Sequence, residues 1–174
     1  MRNESGKSII ILLILTILIM IGVAVVINYA KDMMKETKVQ DLRTNMLLMQ
    51  AETKKGLEKV CFETVNLDEK KEADLTKINE IKAEHLEGTI LSNSPAEVQE
   101  SVKSVPEVTF DENCYYLDEN TLKEIGIQEV NTEEFGYFIV KYDFENANIE
   151  VINTKGYDGN YTLTQIVKAI EGEE

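Results

Sequence analysis

The sequence predicts an α+β protein in which a long N-terminal helix, with a transmembrane first half, packs on a small C-terminal antiparallel sheet. Three observations predict it. The 19 residues from Ile9 to Ile27 carry no charge, and good helix formers continue after them without Pro or Gly as far as Lys55. The last third of the chain then changes to the alternating pattern of β-strands.

Residues 9–27 form the predicted membrane segment. At about 1.5 Å per residue they reach about 29 Å, close to the ~30 Å hydrocarbon layer and longer than the core of most signal peptides. A cleavable secretory signal is the alternative, because Arg2 and Lys7 give a basic start. Its cleavage site would have to use Asn28 and Ala30, which is a poor pattern.

The helix is predicted to continue into water, so that one helix covers residues 7–62. Apolar side chains repeat along it at spacings of three and four. Its predicted buried stripe consists of Val39, Leu42, Met46 and Met49, continued in register by Thr53, Gly56 and Val60 and widened by Leu47, Leu48 and Leu57. Such a stripe needs a partner, and we expect the C-terminal part of the same chain to provide it.

Residues 63–174 are predicted to form an acidic α+β domain. A Lys- and Glu-rich helix within 66–85, capped by Asp68 or Asp74, is followed by a loop and a short helix within 96–103. Cys114–Leu117, residues 137–144 and residues 149–153 are the three predicted strands, the last two forming a hairpin. Residues 118–127 read as one capped helical turn, and a closing helix follows Thr162 as its cap.

The charge of the domain excludes several classes of partner. After Ile27 the chain holds 16 Lys+Arg and 31 Asp+Glu, which are all 18 and 32 in the sequence except Arg2, Lys7 and Glu4. An acidic surface repels nucleic acid and anionic headgroups, so no nucleic acid is expected as a ligand. The count of positive charges slightly favours a cytoplasmic domain, because Lys31, Lys35 and Lys38 follow the segment and Arg2 and Lys7 precede it. The short N-terminal flank argues for export instead, since large trailing domains cross the membrane largely regardless of charge.

No catalytic, cofactor or metal site is expected, and an enzyme is not predicted. His85 is the single histidine and sits in a charged helix, while no phosphate loop or nucleophile elbow occurs. Asp158, Gly159 and Asn160 read as a turn rather than as a calcium site. The tyrosines of the last third either contact a partner or, as strand residues, line the sheet.

Two cysteines, Cys61 and Cys114, lie too far apart in sequence for a zinc motif. Outside the cell they could close one disulfide over a long loop. The alternative is that each is a buried free thiol, since cysteine is among the most buried residue types. The sequence leaves both alternatives open.

The order of a short basic leader, a Gly, an uncharged helix, a soluble extension and a small sheet resembles type IV pilins and pseudopilins. The leader is Arg2-Asn3-Glu4-Ser5-Gly6, and Lys7-Ser8-Ile9-Ile10-Ile11 follows it. The segments Tyr116-Leu117-Asp118, Leu122-Lys123-Glu124-Ile125-Gly126-Ile127, Tyr137-Phe138-Ile139-Val140-Lys141-Tyr142 and Val151-Ile152-Asn153-Thr154-Lys155-Gly156 look like the tail of such proteins from low-GC Gram-positive bacteria. The resemblance covers the architecture of nearly the whole chain.

The resemblance implies a leader of residues 1–6 that a prepilin peptidase removes between Gly6 and Lys7. Two positions depart from the family, because Lys7 stands where Phe is usual and Ile11 where Glu is usual. The missing Glu resembles minor pseudopilins that cap a filament tip. The resemblance also implies a single-pass protein of the cell membrane, or of a surface filament, with its C-terminal domain outside.

Two functions are therefore predicted as alternatives. The first is a minor structural subunit of a type IV pilus or a type II secretion-like filament, with other pilin-like subunits contacting the helix from Ile9 to Ile27, where Gly22 allows close approach. The second is a single-pass membrane protein whose acidic domain binds a protein partner. Processing after Gly6 distinguishes them.

Overall fold

A computed structural model describes residues 4–106, 108–127 and 130–172. Within the first helix it does not describe the side chains of residues 4–18, 22, 24–28 and 30–32. Residues 1–3 of the predicted leader lie outside the described residues. So do the side chains of the predicted processing and membrane-helix residues, namely Gly6, Lys7, Ile9, Ile11, Gly22 and Ile27.

The fold is α+β, with a long helix and an antiparallel sheet, as the sequence predicts. The helices are α1 (Glu4–Thr64), α2 (Glu72–His85), α3 (Ala96–Val102), α4 (Glu119–Glu124), α5 (Thr132–Phe135) and α6 (Leu163–Glu171). The strands are β1 (Thr89–Ile90), β2 (Cys114–Leu117), β3 (Phe138–Asp143), β4 (Asn148–Tyr157) and β5 (Asn160–Thr162), and a 3₁₀ helix covers Leu91–Asn93.

The sheet has five strands in the order β1-β2-β3-β4-β5, which is also their order in the sequence. The three predicted strands correspond to β2, β3 and β4, and the hairpin pairs Asp143 with Asn148. The two short edge strands β1 and β5 are missing from the prediction. They have two and three residues, too few for an alternating pattern to show.

Each face of the sheet is buried under a different set of helices. Cys114, Ile139 and Ile152 lie on the α3 face, where they pack with Leu91, Val98 and Val102. The alternation of side chains puts Tyr115, Phe138, Val140, Tyr142 and Val151 on the opposite face, and all five are buried. We call this second face the α1 face, because α1 and α2 contact its aromatic residues, as described below.

The chain divides into two compact units, Met1–Asp41 and Leu42–Glu174. The second unit contains the last 23 residues of α1 together with the whole sheet. The sequence places the start of the folded domain at residue 63. Contacts place it at Leu42, about six helical turns earlier, because the apolar residues of this stretch belong to the domain core.

Helix caps follow the prediction at two of three sites. The Asp118 carboxylate accepts from the N–H of Thr121 at the start of α4, and this bond lowers the pKa of Asp118. Thr162 caps α6 in a complete capping box with Gln165. Neither predicted aspartate caps α2, which starts after Lys71 without a side-chain cap.

Candidate functional site

The apolar stripe of α1 is the part of the predicted assembly helix that the structure describes in full. Val39, Leu42, Met46, Met49, Leu57 and Val60 are all buried, as the spacing predicts. Thr53 is buried in the same line, and its hydroxyl donates to the Met49 carbonyl at 2.7 Å, so it brings no unpaired polar group inside. Leu47 and Leu48 were predicted to widen the stripe but are exposed, because they lie on the opposite side of the helix.

Gly56 lies where α1 closely approaches the C-terminal end of α2. A Cβ atom on Gly56 would overlap the carbonyl oxygen of His85 and lie 3.2 Å from its carbonyl carbon. The two helices can therefore come this close only because Gly56 has no side chain. In the sequence, Gly56 interrupts an apolar stripe. In the structure, the same residue contacts the end of α2.

Two polar contacts anchor the stripe of α1 at its ends. At the C-terminal end of α1, the Glu63 carboxylate lies 3.0 Å from Nε2 of His85 on α2. Near the start of the domain, the Arg43 guanidinium donates to the Glu171 carboxylate of α6 at 2.7 Å. The single histidine thus has a structural partner, and these contacts tie α1 to both α2 and α6.

The first part of α1 carries the predicted processing and membrane residues. Their backbone is helical from Glu4 onward, which includes Gly6, Lys7, Ile9, Ile11, Gly22 and Ile27. No helix among the residues that the structure describes combines the length and the apolar composition needed to cross a membrane.

Both cysteines are free thiols, in different surroundings. Cys114 is fully buried in the core of the α3 face. Cys61 lies on α1, with its Sγ 3.8 Å from the carbonyl oxygen of Phe144, whose ring stacks on Tyr142 of the α1 face. The two thiols therefore lie on opposite sides of the sheet. This arrangement favours the second of the two predicted alternatives, a free thiol, over the disulfide.

The two thiols are expected to react with iodoacetamide in two separate steps. Burial raises the pKa of the Cys114 thiol, while burial and the Glu58 carboxylate raise the pKa of Cys61. Because the thiolate is the reactive form, both are slow at neutral pH, and the accessible Cys61 reacts first. Mass spectrometry should find one alkyl group on the native protein and two after denaturation, and Cys61→Ser should remove the first step. A native protein lighter by a pair of hydrogen atoms would reveal a disulfide instead.

Asn153 organises the far end of the sheet from a fully buried position on β4. Its amide nitrogen donates to the carbonyl oxygens of Phe135 at 2.7 Å and Tyr137 at 3.4 Å. Its amide oxygen accepts from the backbone N–H groups of Lys155 at 3.1 Å and Gly156 at 2.8 Å. One side chain thus holds the segment that follows α5 against the irregular end of β4.

The tyrosines mainly line the two faces of the sheet. Tyr115 and Tyr142 meet edge to face at 5.1 Å on the α1 face, and Tyr116 and Tyr137 do so at 5.9 Å on the other. Burial raises the pKa of Tyr142, whose hydroxyl donates to the Glu87 carbonyl at 3.4 Å. This placement matches the interpretation of the tyrosines as strand residues.

Acidic residues form no metal centre in the described part of the chain, where no group of His, Cys, Asp or Glu is arranged to hold an ion. Asp158 and Gly159 both have positive φ angles and form the turn that joins β4 to β5. The turn interpretation of this segment is confirmed.

Comparison with known proteins gives no relative: no family model, curated protein or solved structure matches this chain. The site therefore has to be understood from its own contacts.

Gly56 and Asn153 are the two positions that sequence reasoning missed. A glycine inside a helical apolar stripe was the available signal for the first, whereas an asparagine near a strand end gave none for the second.

Proposed function

We propose that this chain is a minor structural subunit of a type IV pilus or of a type II secretion-like filament, anchored in the membrane by residues 9–27 with its acidic domain outside. The observation that carries the proposal is α1. It is one helix of 61 residues, and its last part is built into the core of the domain rather than attached to it by a loop.

This construction suits a subunit that must transmit force between an anchor and a domain. A flexible linker between them would stretch under load. Here the stripe from Leu42 to Val60, the Gly56 contact and the pair of Glu63 with His85 couple the helix to the domain at several heights. A helix held along its length resists pulling better than one held at a single point, because several contacts must break together.

The uncharged sequence of residues 9–27 supports the anchoring part of the proposal. Its length fits a lipid hydrocarbon layer, and Gly22 with Ala24 offers a point of close approach between neighbouring helices. Ile11 replaces the carboxylate that repeating subunits of the resembling family carry, which supports a minor subunit over a repeating one. The expected partners are the membrane, a prepilin peptidase and other pilin-like subunits.

The proposal predicts that the chain isolated from native membranes begins at Lys7. Intact mass and N-terminal sequencing measure this directly, and a methyl group on the new terminus would strengthen the assignment. Gly6→Val should leave the chain uncut because the peptidase of the resembling family requires the glycine, whereas Ser5→Ala should still be cut. A wild-type chain that begins at Met1 would reject the filament subunit and favour the second function, a single-pass membrane protein that binds a partner through its acidic domain.

A further inference from the structure

A cavity of about 490 Å³ lies between α2 and the β1 edge of the sheet. Its apolar lining includes Ala83, Leu86 and Ile90, and its polar side chains include Asn79, Lys82, Asn93, Glu112 and Tyr115. A volume of this size is typical of pockets that hold small ligands. All of these residues belong to the compact unit Leu42–Glu174, so the cavity is a property of the domain itself.

The hydroxyl of Tyr115 is the most informative group in this cavity. Tyr115 is only 8% exposed, and its ring packs edge to face on Tyr142. Burial and the nearby Glu112 carboxylate raise its pKa, so the group stays a neutral O–H donor. It makes no hydrogen bond to any described residue. Tyr115 lines the cavity and its hydroxyl is not fully buried, so the hydroxyl can donate to a molecule bound there.

Two opposite charges stand at the cavity without ion-pair partners among the described residues. The Lys82 ammonium lies 4.2 Å from the centre of the Phe144 ring, and Lys82 is one of the residues that line the cavity. The Glu112 carboxylate lies close enough to Tyr115 to affect its titration. A cation on the α2 side of the cavity and an anion on the β2 side suit a ligand that carries both charges.

The edge of the sheet adds a backbone donor. The N–H of Tyr142 donates to the Asn113 carbonyl at 2.9 Å, so this pair is hydrogen bonded across β2 and β3. Along an antiparallel strand, the N–H and C=O groups of successive residues point alternately to the two neighbouring strands. Starting from Asn113, the groups of Tyr115 therefore point to β3 and those of Tyr116 point to β1.

Ile90 lies opposite Tyr115, so its backbone groups point away from β2. Ile90 is also the N-cap residue of the 3₁₀ helix Leu91–Asn93. Its N–H is left at the edge of the sheet, beside the cavity. An extended peptide adds to a sheet through donors of this kind.

We propose that this cavity binds a short extended peptide with a free C-terminal carboxylate and a basic side chain. The terminal carboxylate pairs with Lys82 and Asn79, and the basic side chain pairs with Glu112. A peptide carbonyl accepts from the Tyr115 hydroxyl and from the N–H of Ile90. The assignment does not depend on the filament function, because it uses only contacts within the domain.

Other ligand classes fit this cavity less well. A nucleotide needs several cations around its phosphates, and Lys82 is the one cation among the lining residues. A metal ion needs several carboxylates, and Glu112 is the one in the lining. A peptide uses both charges and the edge donor together.

Fluorescence anisotropy with the full chain in dodecylmaltoside micelles tests the proposal. The probe is fluorescein-labelled Gly-Val-Lys-Val with a free C-terminus, and two more probes carry a C-terminal amide or Glu in place of Lys. We expect the first probe to bind saturably. Amidation and Lys82→Gln should each weaken it about tenfold, and the two changes together should do little more, since they remove the same ion pair.

Charge reversal provides the sharper test. Glu112→Lys should make the domain prefer the Glu probe over the Lys probe, and Tyr115→Phe should weaken both about fivefold, because it removes one hydrogen bond. Lys77→Gln and Glu145→Gln change charges outside the cavity and should leave all affinities unchanged. No saturable binding of the Lys probe up to about 2 mM would overturn the proposal, as would equal affinity of Lys and Glu probes for both the wild type and Glu112→Lys.

Discussion

Replacing Gly56 by alanine is expected to destabilise the folded domain by at least about 3 kcal/mol, although alanine favours helices. In an isolated helix this change stabilises by about 1 kcal/mol. Here the new methyl group would overlap the carbonyl oxygen of His85, and both groups belong to helix backbones that shift only together. Separating α1 from α2 would also disturb the pair of Glu63 with His85. The tertiary clash outweighs the helix propensity.

Chemical unfolding of the full chain in detergent, followed by the tyrosine signal of the sheet, measures the effect. Lys55→Ala is the matched control, because Lys55 is the exposed neighbour of Gly56 on the same helix, and it should change the free energy of unfolding by less than about 0.5 kcal/mol. If Gly56→Ala were as stable as the control or more so, α1 and α2 would not meet at this residue.

Replacing Asn153 by aspartate is expected to destabilise the domain by about 3–5 kcal/mol at neutral pH. The change removes the donors to the carbonyl oxygens of Phe135 and Tyr137 and places a carboxylate oxygen against them instead. The site is fully buried, so water does not compensate for the lost bonds or the new charge. The same substitution at a surface asparagine should lower the free energy of unfolding far less, so most of the expected loss is due to the buried position.

The pH dependence of Asn153→Asp gives a second readout with a definite sign. Burial and the facing carbonyls raise the pKa of the introduced carboxyl in the folded state above its ordinary value of about 3.9. The protonated form is the better tolerated one, so the variant is least destabilised below about pH 4 and loses further stability as the pH rises through the raised pKa.

Unfolding at several pH values, each compared with wild type, measures this dependence. Asn66→Asp is the control, because Asn66 is exposed in the turn after α1, and its effect should stay near zero at every pH. An effect of Asn153→Asp that does not change with pH would place the introduced carboxylate in water and contradict the buried position.

Elements with a complete local signal could be predicted from the sequence. α6 has an apolar face and a Thr162 cap with its partner Gln165 three residues later, so both its start and its buried side follow from the residues. β2 was predicted with its observed bounds, because Cys114–Leu117 is apolar and flanked by polar turns. The stripe of α1 from Val39 to Val60 was also predicted, because its apolar residues recur at spacings of three and four.

The remaining features depend on residues that are distant in the sequence. β1 is a strand only because Thr89 and Ile90 pair with Tyr116 and Tyr115. Leu47 and Leu48 have the same apolar character as the buried residues beside them, and only the position of the sheet decides that they are exposed. The cavity beside β1 is lined by residues from α2, β1, the 3₁₀ helix and the start of β2, so it could not be predicted from any one segment of the sequence.

The sheet order, which repeats the chain order, has a consequence for synthesis. Each strand finds its partner next to it in the sequence, whereas the contact of Arg43 with Glu171 joins residues 128 positions apart. The ribosome releases α1 first and α6 last, at about 5–20 residues per second. For several seconds the stripe from Leu42 to Val60 is therefore complete and uncovered, so a nascent chain needs a chaperone or the bilayer to shield this stripe until its own C-terminus emerges.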